Sequence, residues 1–206
     1  QVLHNDNPRR YHHLGIKETG KLESYLLAVD PKTGKDIWRR IRRSNARDES
    51  LEAYSSPIPF SWKGREEILV FGGDCLTGHD PETGKEIWRW EGFNTRSNTR
   101  WRVVPSPLPG KGLVYVSAPK HDPFYAVKAG ATGTVGMEQV AWKLERDSPD
   151  AAMPLLYRGR LYVLNDDRRI LSCLDPETGN MFWQERLDAR AVFRAGLTGA
   201  DGKVYA

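Results

Sequence analysis

Short apolar runs alternate with polar turns along most of the chain. The runs SYLLAVD (residues 24–30) and KDIWRRI (35–41) are rich in β-forming residues and flank the turn DPKTG. This pattern predicts short strands joined as antiparallel hairpins. The longest apolar runs, such as ILVF (68–71), are strand-sized, whereas a membrane-spanning helix needs about 20 residues. We therefore expect no transmembrane segment.

The turn DPKTG has the residue types that a tight hairpin needs. Pro31 presets φ, the Asp30 side chain accepts backbone N–H bonds two or three residues on, and Thr33 adds a hydroxyl. Gly34 can take a positive φ in a bulge, and Trp38 then begins the outgoing strand with a large flat side chain. The sequence therefore predicts a hairpin that presents a tryptophan for packing.

The same turn recurs along the chain. DPKTGKDIW begins at Asp30, DPETGKEIW at Asp80 and DPETGNMFW at Asp175, and a further tryptophan, Trp142, stands between the last two copies. Trp88, Trp142 and Trp183 follow one another at separations of 54 and 41 residues. This spacing is typical of the four-stranded blades of a β-propeller.

These residues resemble the pyrroloquinoline quinone (PQQ) repeat, with its tryptophan-docking pattern A-x-D-x-x-T-G-x-x-x-W. The third copy departs from it, with Lys128 at the Asp position and an insertion before the tryptophan, so we expect an irregular turn there. The structural repeat residues are Asp30, Thr33, Gly34, Trp38, Asp80, Thr83, Gly84, Trp88, Gly130, Trp142, Asp175, Thr178, Gly179 and Trp183.

The resemblance implies an all-β chain, a single propeller segment over residues 1–206 with about four blade equivalents. Its expected units are a part-blade (1–43), three blades (55–91, 101–145 and 149–187) and a part-blade (191–206). We expect strands at QVLH (1–4), VFRAGL (192–197) and KVYA (203–206) in the part-blades. A double glycine in FGGD (71–74) is similar to a kelch repeat but occurs once, so we discount it.

Members of this family commonly close at seven or eight blades, so the resemblance implies that blades are missing. The chain opens on QVLHND and stops at GKVYA, which is typical of a fragment. Closure at four blades is the alternative.

Composition narrows the function only slightly. The chain has 206 residues, 31 Lys and Arg against 27 Asp and Glu, and a formal charge of +4, which is too mild to indicate nucleic acid binding. Its two cysteines, Cys75 and Cys173, lack the spacing of a zinc or redox motif, and we expect them to lie too far apart for a disulfide.

Candidate binding residues concentrate in the longer loops, which alternation of strand direction places on the face opposite the repeated turns. Bidentate arginine contacts there could bind an acidic partner or an anionic ligand; the alternative is ordinary solvated loop charge. The candidates are Arg9, Arg10, His12, His13, Arg42, Arg43, Arg96, Arg100, His121, Asp122, Asp166 and Arg168, with Arg47 and Asp167 beside them.

Two further site hypotheses are weaker. The adjacent His12 and His13, even with His4 and His121, lack the spacing of a metal site. The repeat tryptophans could stack on a quinone, but their regular position favours packing between blades. Trp62, Trp90 and Trp101 fall outside the repeat and stay unassigned.

The resemblance implies two main functions. The first is a non-catalytic scaffold for a protein partner in the bacterial envelope, as in the propeller lipoprotein of the outer-membrane β-barrel assembly machinery, with a periplasmic or other extracytoplasmic location and no cofactor. The second is part of a PQQ- and calcium-dependent alcohol or sugar dehydrogenase, for which no catalytic, cofactor or metal residue stands out here. A third possibility is the sensor portion of a larger chain.

Overall fold

The computed structural model describes residues 24–120 and 122–206, and these residues form an all-β structure. Two short 3-10 turns, Asp48–Leu51 and Met137–Gln139, interrupt the strands. The strands are β1 (Tyr25–Val29), β2 (Asp36–Ile41), β3 (Ile58–Trp62), β4 (Arg65–Gly72), β5 (Cys75–His79), β6 (Glu86–Trp90), β7 (Leu108–Pro109), β8 (Leu113–Ser117), β9 (Phe124–Lys128), β10 (Gly133–Val135), β11 (Val140–Leu144), β12 (Leu155–Tyr157), β13 (Arg160–Asn165), β14 (Ile170–Leu174), β15 (Met181–Arg186), β16 (Thr198–Ala200) and β17 (Lys203–Tyr205).

Apart from β10, the strands form separate antiparallel sheets in chain order. Three of them contain four consecutive blade strands each: β3-β4-β5-β6, β7-β8-β9-β11 and β12-β13-β14-β15. Two-stranded sheets, β1-β2 and β16-β17, stand at the two ends of the described chain. The predicted propeller fold of four-stranded blades is confirmed, and its sheets do not close into a ring.

Two strands differ from the sequence-based expectation. The strand predicted at 192–197 lies further along, at β16, and β10 was not predicted. β10 arises from the insertion in the third repeat and pairs in parallel with β6 of the preceding sheet, with Gly133 opposite Trp88. The strand predicted at residues 1–4, like Arg9, Arg10, His12, His13 and His121, lies outside the described residues.

The repeated turns fold through local hydrogen bonds. The Asp30 carboxylate accepts the backbone N–H groups of Lys32 at 2.8 Å and Thr33 at 2.9 Å, and Gly34 donates its N–H to the Asp30 carbonyl with a φ of 69°. The turns that begin at Asp80 and Asp175 repeat the Asp–Thr and Asp–Gly bonds. A carboxylate that accepts two or three backbone donors fixes the turn without help from distant residues.

The core lies between neighbouring sheets. Leu69 and Phe71 of β4 and Trp90 of β6 pack with Val116 of β8 and Tyr125 of β9 in one cluster, and the Trp90 and Tyr125 rings lie 5.1 Å apart. Two further clusters join the next sheets in the same way. Stability in this fold therefore depends on contacts between neighbours.

The two ends of the array leave apolar side chains in solvent. Ile37 and Ile41 of β2 are 62% and 54% exposed, and Trp183 of β15 and Tyr205 of β17 are 42% and 50% exposed. The sheets near both ends of the described array thus expose apolar side chains on faces that the inner sheets bury against a neighbouring sheet.

Candidate functional site

The candidate site is the loop face, which we define by two kinds of connection. They are the segments between successive blades (42–57, 91–107, 145–154 and 187–197) and the turns between the second and third strand of each blade (73–74, 118–120 with 122–123, and 166–169). Strand alternation places these connections at one end of the sheets and the repeated turns at the other. The loop face contains most of the residues predicted from sequence.

Hydrogen bonds hold the first two inter-blade segments together. The Ser50 hydroxyl donates to the Asn98 carbonyl at 2.6 Å and accepts the Trp101 N–H at 3.0 Å. Ala53 and Val103 form a parallel β-bridge between the same segments. The two loops therefore form one joined surface.

Arg42 was predicted to be a binding residue of the loop face, but the structure shows that it is buried. Its side chain is 1% exposed, and its guanidinium donates to the carbonyls of Gly72 at 2.7 Å and Cys75 at 2.8 Å and to the Thr77 hydroxyl at 2.9 Å. Burial lowers the pKa of Arg42. Arg42 thus ties the first sheet to the second and is not available to a partner.

The Cys75 thiol lies beside this arginine. Its sulfur accepts a hydrogen bond from Arg42 Nη2 at 3.0 Å and another from Arg89 Nη1 at 3.2 Å, and burial nevertheless raises the pKa of the thiol. Both Cys75 and Cys173 are free and buried.

Asp166 is a second correction. The predicted loop carboxylate is fully buried and accepts the backbone N–H groups of Asp150 at 2.9 Å, Ala151 at 2.7 Å and Ala152 at 3.2 Å. These bonds fasten the third inter-blade segment to the fourth blade. Both carboxylate oxygens accept backbone hydrogen bonds, so we assign Asp166 a structural role rather than a binding role.

The remaining predicted residues differ in whether their charged groups are exposed and whether they already have an ion-pair partner. Arg168 is exposed but forms an ion pair with Asp147 at 2.6 Å. Asp122 is partly buried, and this burial raises the pKa of its carboxyl. The positive charge of Arg96 lowers that pKa and so offsets part of the effect. Four arginines are exposed on the two joined loops, and we define them as the basic patch: Arg43, Arg47, Arg96 and Arg100.

A cavity of about 400 Å³ opens beside the basic patch. Arg89 in its wall pairs with Glu86 at 2.8 Å and Glu91 at 2.9 Å, so its charge is already compensated. Arg43 lines the same cavity. Sequence reasoning missed Glu86, Arg89 and Glu91 because they belong to a strand and its end rather than to a long loop.

Two repeat tryptophans contact the turn of the following blade. The indole Nε1 of Trp38 donates to the Pro81 carbonyl at 3.1 Å, and that of Trp142 donates to the Pro176 carbonyl at 3.1 Å. A Cβ added to Gly84 would lie 2.5 Å from the Trp38 ring. We call this arrangement the Trp–turn contact.

Trp88 is arranged differently. Its Nε1 donates to Glu67 Oε2 of its own blade at 2.5 Å, and Glu67 pairs with Arg65, which also donates to the Ala131 carbonyl in the insertion. Trp62 instead lies against the third blade, 2.8 Å from where a Cβ of Gly112 would be. The irregular third repeat, which lacks the turn aspartate, thus coincides with a different packing of the tryptophans.

The described residues do not fit a calcium-assisted quinone site. No group of three or more His, Cys, Asp or Glu side chains in the part of the chain that the structure describes could hold a metal ion. In the acidic pair Asp166 and Asp167, Asp166 accepts backbone N–H groups, and Arg194 lies beside both carboxylates. Calcium needs six to eight oxygen ligands, which these two carboxylates alone do not supply.

No helix in the described ranges is both long enough and apolar enough to cross a membrane.

The family described as outer membrane protein assembly factor BamB matches residues 22–191. No curated protein matches the chain in sequence. Among solved structures, BamB from Moraxella catarrhalis is similar at a TM-score of 0.58 and 17% identity, over 87% of this chain and 51% of its own. The chain thus spans about half the length of that protein.

Two other solved structures are similar. The computationally designed Ika4 protein has a TM-score of 0.56 at 13% identity, over 84% of this chain and 91% of its own. A quinohemoprotein alcohol dehydrogenase, ADHIIG from Pseudomonas putida HK5, has a TM-score of 0.47 at 17% identity, over 72% of this chain and 22% of its own, a likeness too partial to bear on function. At these identities the similarities show the fold alone.

Proposed function

Because the chain belongs to the family of the outer membrane protein assembly factor BamB, we propose that it is a non-catalytic propeller scaffold that binds a protein partner. The loop face is the binding surface, and the basic patch recognises an acidic segment of the partner. The proposed location is outside the cytoplasm, as the family name suggests. No catalytic role is assigned to any residue.

The observation that carries this proposal is the difference between paired and unpaired charge. Arg89, Arg168 and Arg194 each have a carboxylate partner, whereas the described residues form no ion pair within 4.0 Å with any member of the basic patch. A guanidinium that keeps its donors free can bind a carboxylate with two parallel hydrogen bonds. Such a contact is worth more when a partner excludes water from it.

The joined loops favour binding because they limit the cost of ordering. Arg43 and Arg47 lie on one loop and Arg96 and Arg100 on the other, and the Ser50 bonds and the Ala53–Val103 bridge connect the two backbones. Binding to a surface that is already organised loses less conformational entropy than binding to separate loops.

The test uses a fluorescein-labelled hexaglutamate peptide and fluorescence anisotropy. The double variant Arg43→Ala/Arg96→Ala should weaken binding by about tenfold at 25 mM salt, and the unchanged protein should bind more weakly at about 150 mM salt because screening is stronger. The matched control is Lys111→Ala/Arg158→Ala, which removes two exposed charges from the turns opposite the loop face.

The control separates a local site from net charge. If the control variant weakens binding as much as Arg43→Ala/Arg96→Ala, the peptide responds to total charge and the basic patch is not a binding surface. Binding that does not change with salt would contradict the electrostatic part of the proposal. Fractionation of cells that express the native protein tests the proposed location.

A further inference from the structure

A two-residue turn, which we call the inner turn, joins β3 to β4, β7 to β8, β12 to β13 and β16 to β17 (residues 63–64, 111–112, 158–159 and 201–202). In the second blade the residue before this turn is Trp62, whose ring lies 2.8 Å from where a Cβ of Gly112 in the third blade would be. In the fourth blade it is Tyr157, whose ring lies 2.6 Å from where a Cβ of Gly199 would be. In both places an aromatic ring fills the space beside the next inner turn.

The third blade departs from this pattern. Its residue before the inner turn is Gly110, which donates its N–H to the Leu113 carbonyl at 2.8 Å. A Cβ on Gly110 would lie 2.6 Å from the ring of Tyr115 in the same blade, so Tyr115 leaves no room for a larger residue there. This position therefore supplies no ring toward the fourth blade.

A cavity of about 420 Å³ occupies the corresponding space between the third and fourth blades. Tyr115 of the third blade lines it, as do Leu156, Gly159 and Pro176 of the fourth. Tyr115 also donates its hydroxyl to the Pro176 carbonyl at 2.8 Å, which fixes one side of the cavity. Its volume lies in the range of small-ligand pockets, so a single aromatic side chain can enter it.

The inner turn of the fourth blade is uncovered where its counterpart in the third blade is covered. Gly159 and Gly112 are equivalent turn residues, with φ of 71° and 72°. The Trp62 ring packs on Gly112, but nothing in the described structure lies within 4 Å of a Cβ placed on Gly159. The cavity therefore leaves open the turn surface that receives a ring in the preceding pair of blades.

A hydroxyl on the entering ring would meet a hydrogen-bond donor. The Tyr157 hydroxyl accepts the Gly202 N–H of the next inner turn at 2.9 Å. Gly159 has the same place in its own turn and nearly the same φ as Gly202. A phenol in the cavity can accept the Gly159 N–H in the same way, whereas a phenyl ring cannot. The chemistry of the site thus favours tyrosine.

The charges around the cavity cancel. Lys111 and Arg158 carry two positive charges and Asp175 and Glu177 two negative ones, and Lys111, Arg158 and Glu177 are exposed to solvent. A balanced rim does not select an ion, and it suits the neutral phenol of a side chain within a peptide.

We propose that this cavity binds a tyrosine side chain of a protein partner, which takes the place that Trp62 and Tyr157 fill between other blades. The cavity lies on the face of the repeated turns, opposite the loop face. The kind of partner rests on the proposed scaffold function, but the site does not depend on the basic patch.

The first test titrates the ¹⁵N-labelled protein with N-acetyl-tyrosinamide and follows the backbone amides by NMR. We expect saturable shifts that are largest at Lys111, Arg158 and Gly159, with a dissociation constant on the order of 1 mM for a single residue. N-acetyl-phenylalaninamide should bind about fivefold more weakly because it lacks the hydroxyl. Free tyrosine should bind no more tightly than N-acetyl-tyrosinamide.

The second test closes the cavity with two variants, each with a matched control. Leu156→Trp places an indole in the cavity and should weaken binding of N-acetyl-tyrosinamide by at least about tenfold. Ile37→Trp adds the same ring at a side chain that is 62% exposed and should leave binding unchanged.

The milder variant keeps the test valid where the added indole disturbs folding. Gly159→Ala places a methyl group on the open turn surface and should weaken binding about threefold or more. Gly34→Ala has the same backbone strain, with a φ of 69° and nothing in the described structure within 4 Å of its Cβ. It should not change binding.

Several outcomes would overturn the proposal. Absence of saturable shifts would do so, as would shifts centred on the loop face or native affinity in both Leu156→Trp and Gly159→Ala. Equal binding of the tyrosine and phenylalanine derivatives would contradict the bond to Gly159 and the choice of tyrosine. Tighter binding of free tyrosine would assign the cavity to a free amino acid instead of a partner. The hexaglutamate measurement is independent of all these, so failure of either site can be distinguished.

Discussion

At the scale of single residues, the environment of His79 favours the neutral imidazole. The side chain is 2% exposed, its Nδ1 lies 3.1 Å from the Gly84 carbonyl and its Nε2 lies 2.9 Å from the Thr77 hydroxyl. Burial lowers the pKa of His79 to about 4, although the bond to Gly84 acts in the opposite direction. Since a carbonyl only accepts, Nδ1 carries the proton and Nε2 is free to accept from Thr77.

This pKa predicts a loss of stability in acid. Below about pH 6.5 the unfolded chain binds a proton at His79 that the native protein excludes until about pH 4. The free energy of unfolding of the native sequence should therefore fall by about 2 kcal/mol relative to His79→Gln between pH 7 and pH 4.5. Urea titrations of both proteins at each pH measure this difference.

The comparison with His79→Gln removes a competing effect. Burial raises the pKa of Asp74 to about 6, so this carboxyl stabilises the native protein as the pH falls through 6 and partly masks His79. Both proteins contain Asp74, and its contribution cancels in the difference. Parallel stability profiles for the two proteins would show that His79 titrates normally.

The buried loop charges could not be predicted from sequence. Arg42 and Asp166 have the same local setting as Arg43 and Asp167, each being one of two adjacent like charges beside a strand. Which member turns inward depends on carbonyls and N–H groups that the neighbouring blade supplies. Sequence position alone therefore indicated a charged loop but not which side chains a partner could reach.

At the scale of elements, the Trp–turn contact can be isolated by comparing two glycines. Gly34 and Gly84 occupy the same turn position with a φ of 69°, but the Trp38 ring covers only Gly84. Alanine at either position pays a similar cost for the positive φ. Any additional loss of folding stability in the Gly84 variant therefore comes from displacement of the Trp38 ring.

We expect Gly84→Ala to destabilise the chain by about 1 to 3 kcal/mol more than Gly34→Ala. The measurement is chemical unfolding of both variants at about 1 μM. Equal losses in the two variants would mean that Trp38 moves aside at no cost and that the contact contributes little to stability.

The regular hairpins were predictable because their information is local. Asp30, Thr33 and Gly34 form their turn with one another, so the repeat indicated both the turn and the strands on either side. β10 was not predictable, since it forms only by pairing with β6 of another blade. The bond from Trp88 to Glu67 likewise joins two different strands of the blade.

At the scale of the whole molecule, packing is unequal along the array. β5 and β8 consist entirely of buried residues because their sheets have neighbours. β16 and β17 contain no buried residue, and β1 contains one, Leu26. In an array that is stabilised by contacts between neighbours, such ends should open more often than the centre.

Hydrogen exchange at low concentration should reveal this gradient. We expect backbone amides in β5 and β8 to exchange at least about 100-fold more slowly than those in β1 and β17, because local opening at the ends exposes little apolar surface. Mass spectrometry of peptic fragments measures both regions in one sample. Uniform protection across all four strands would instead show that the chain unfolds as a single cooperative unit.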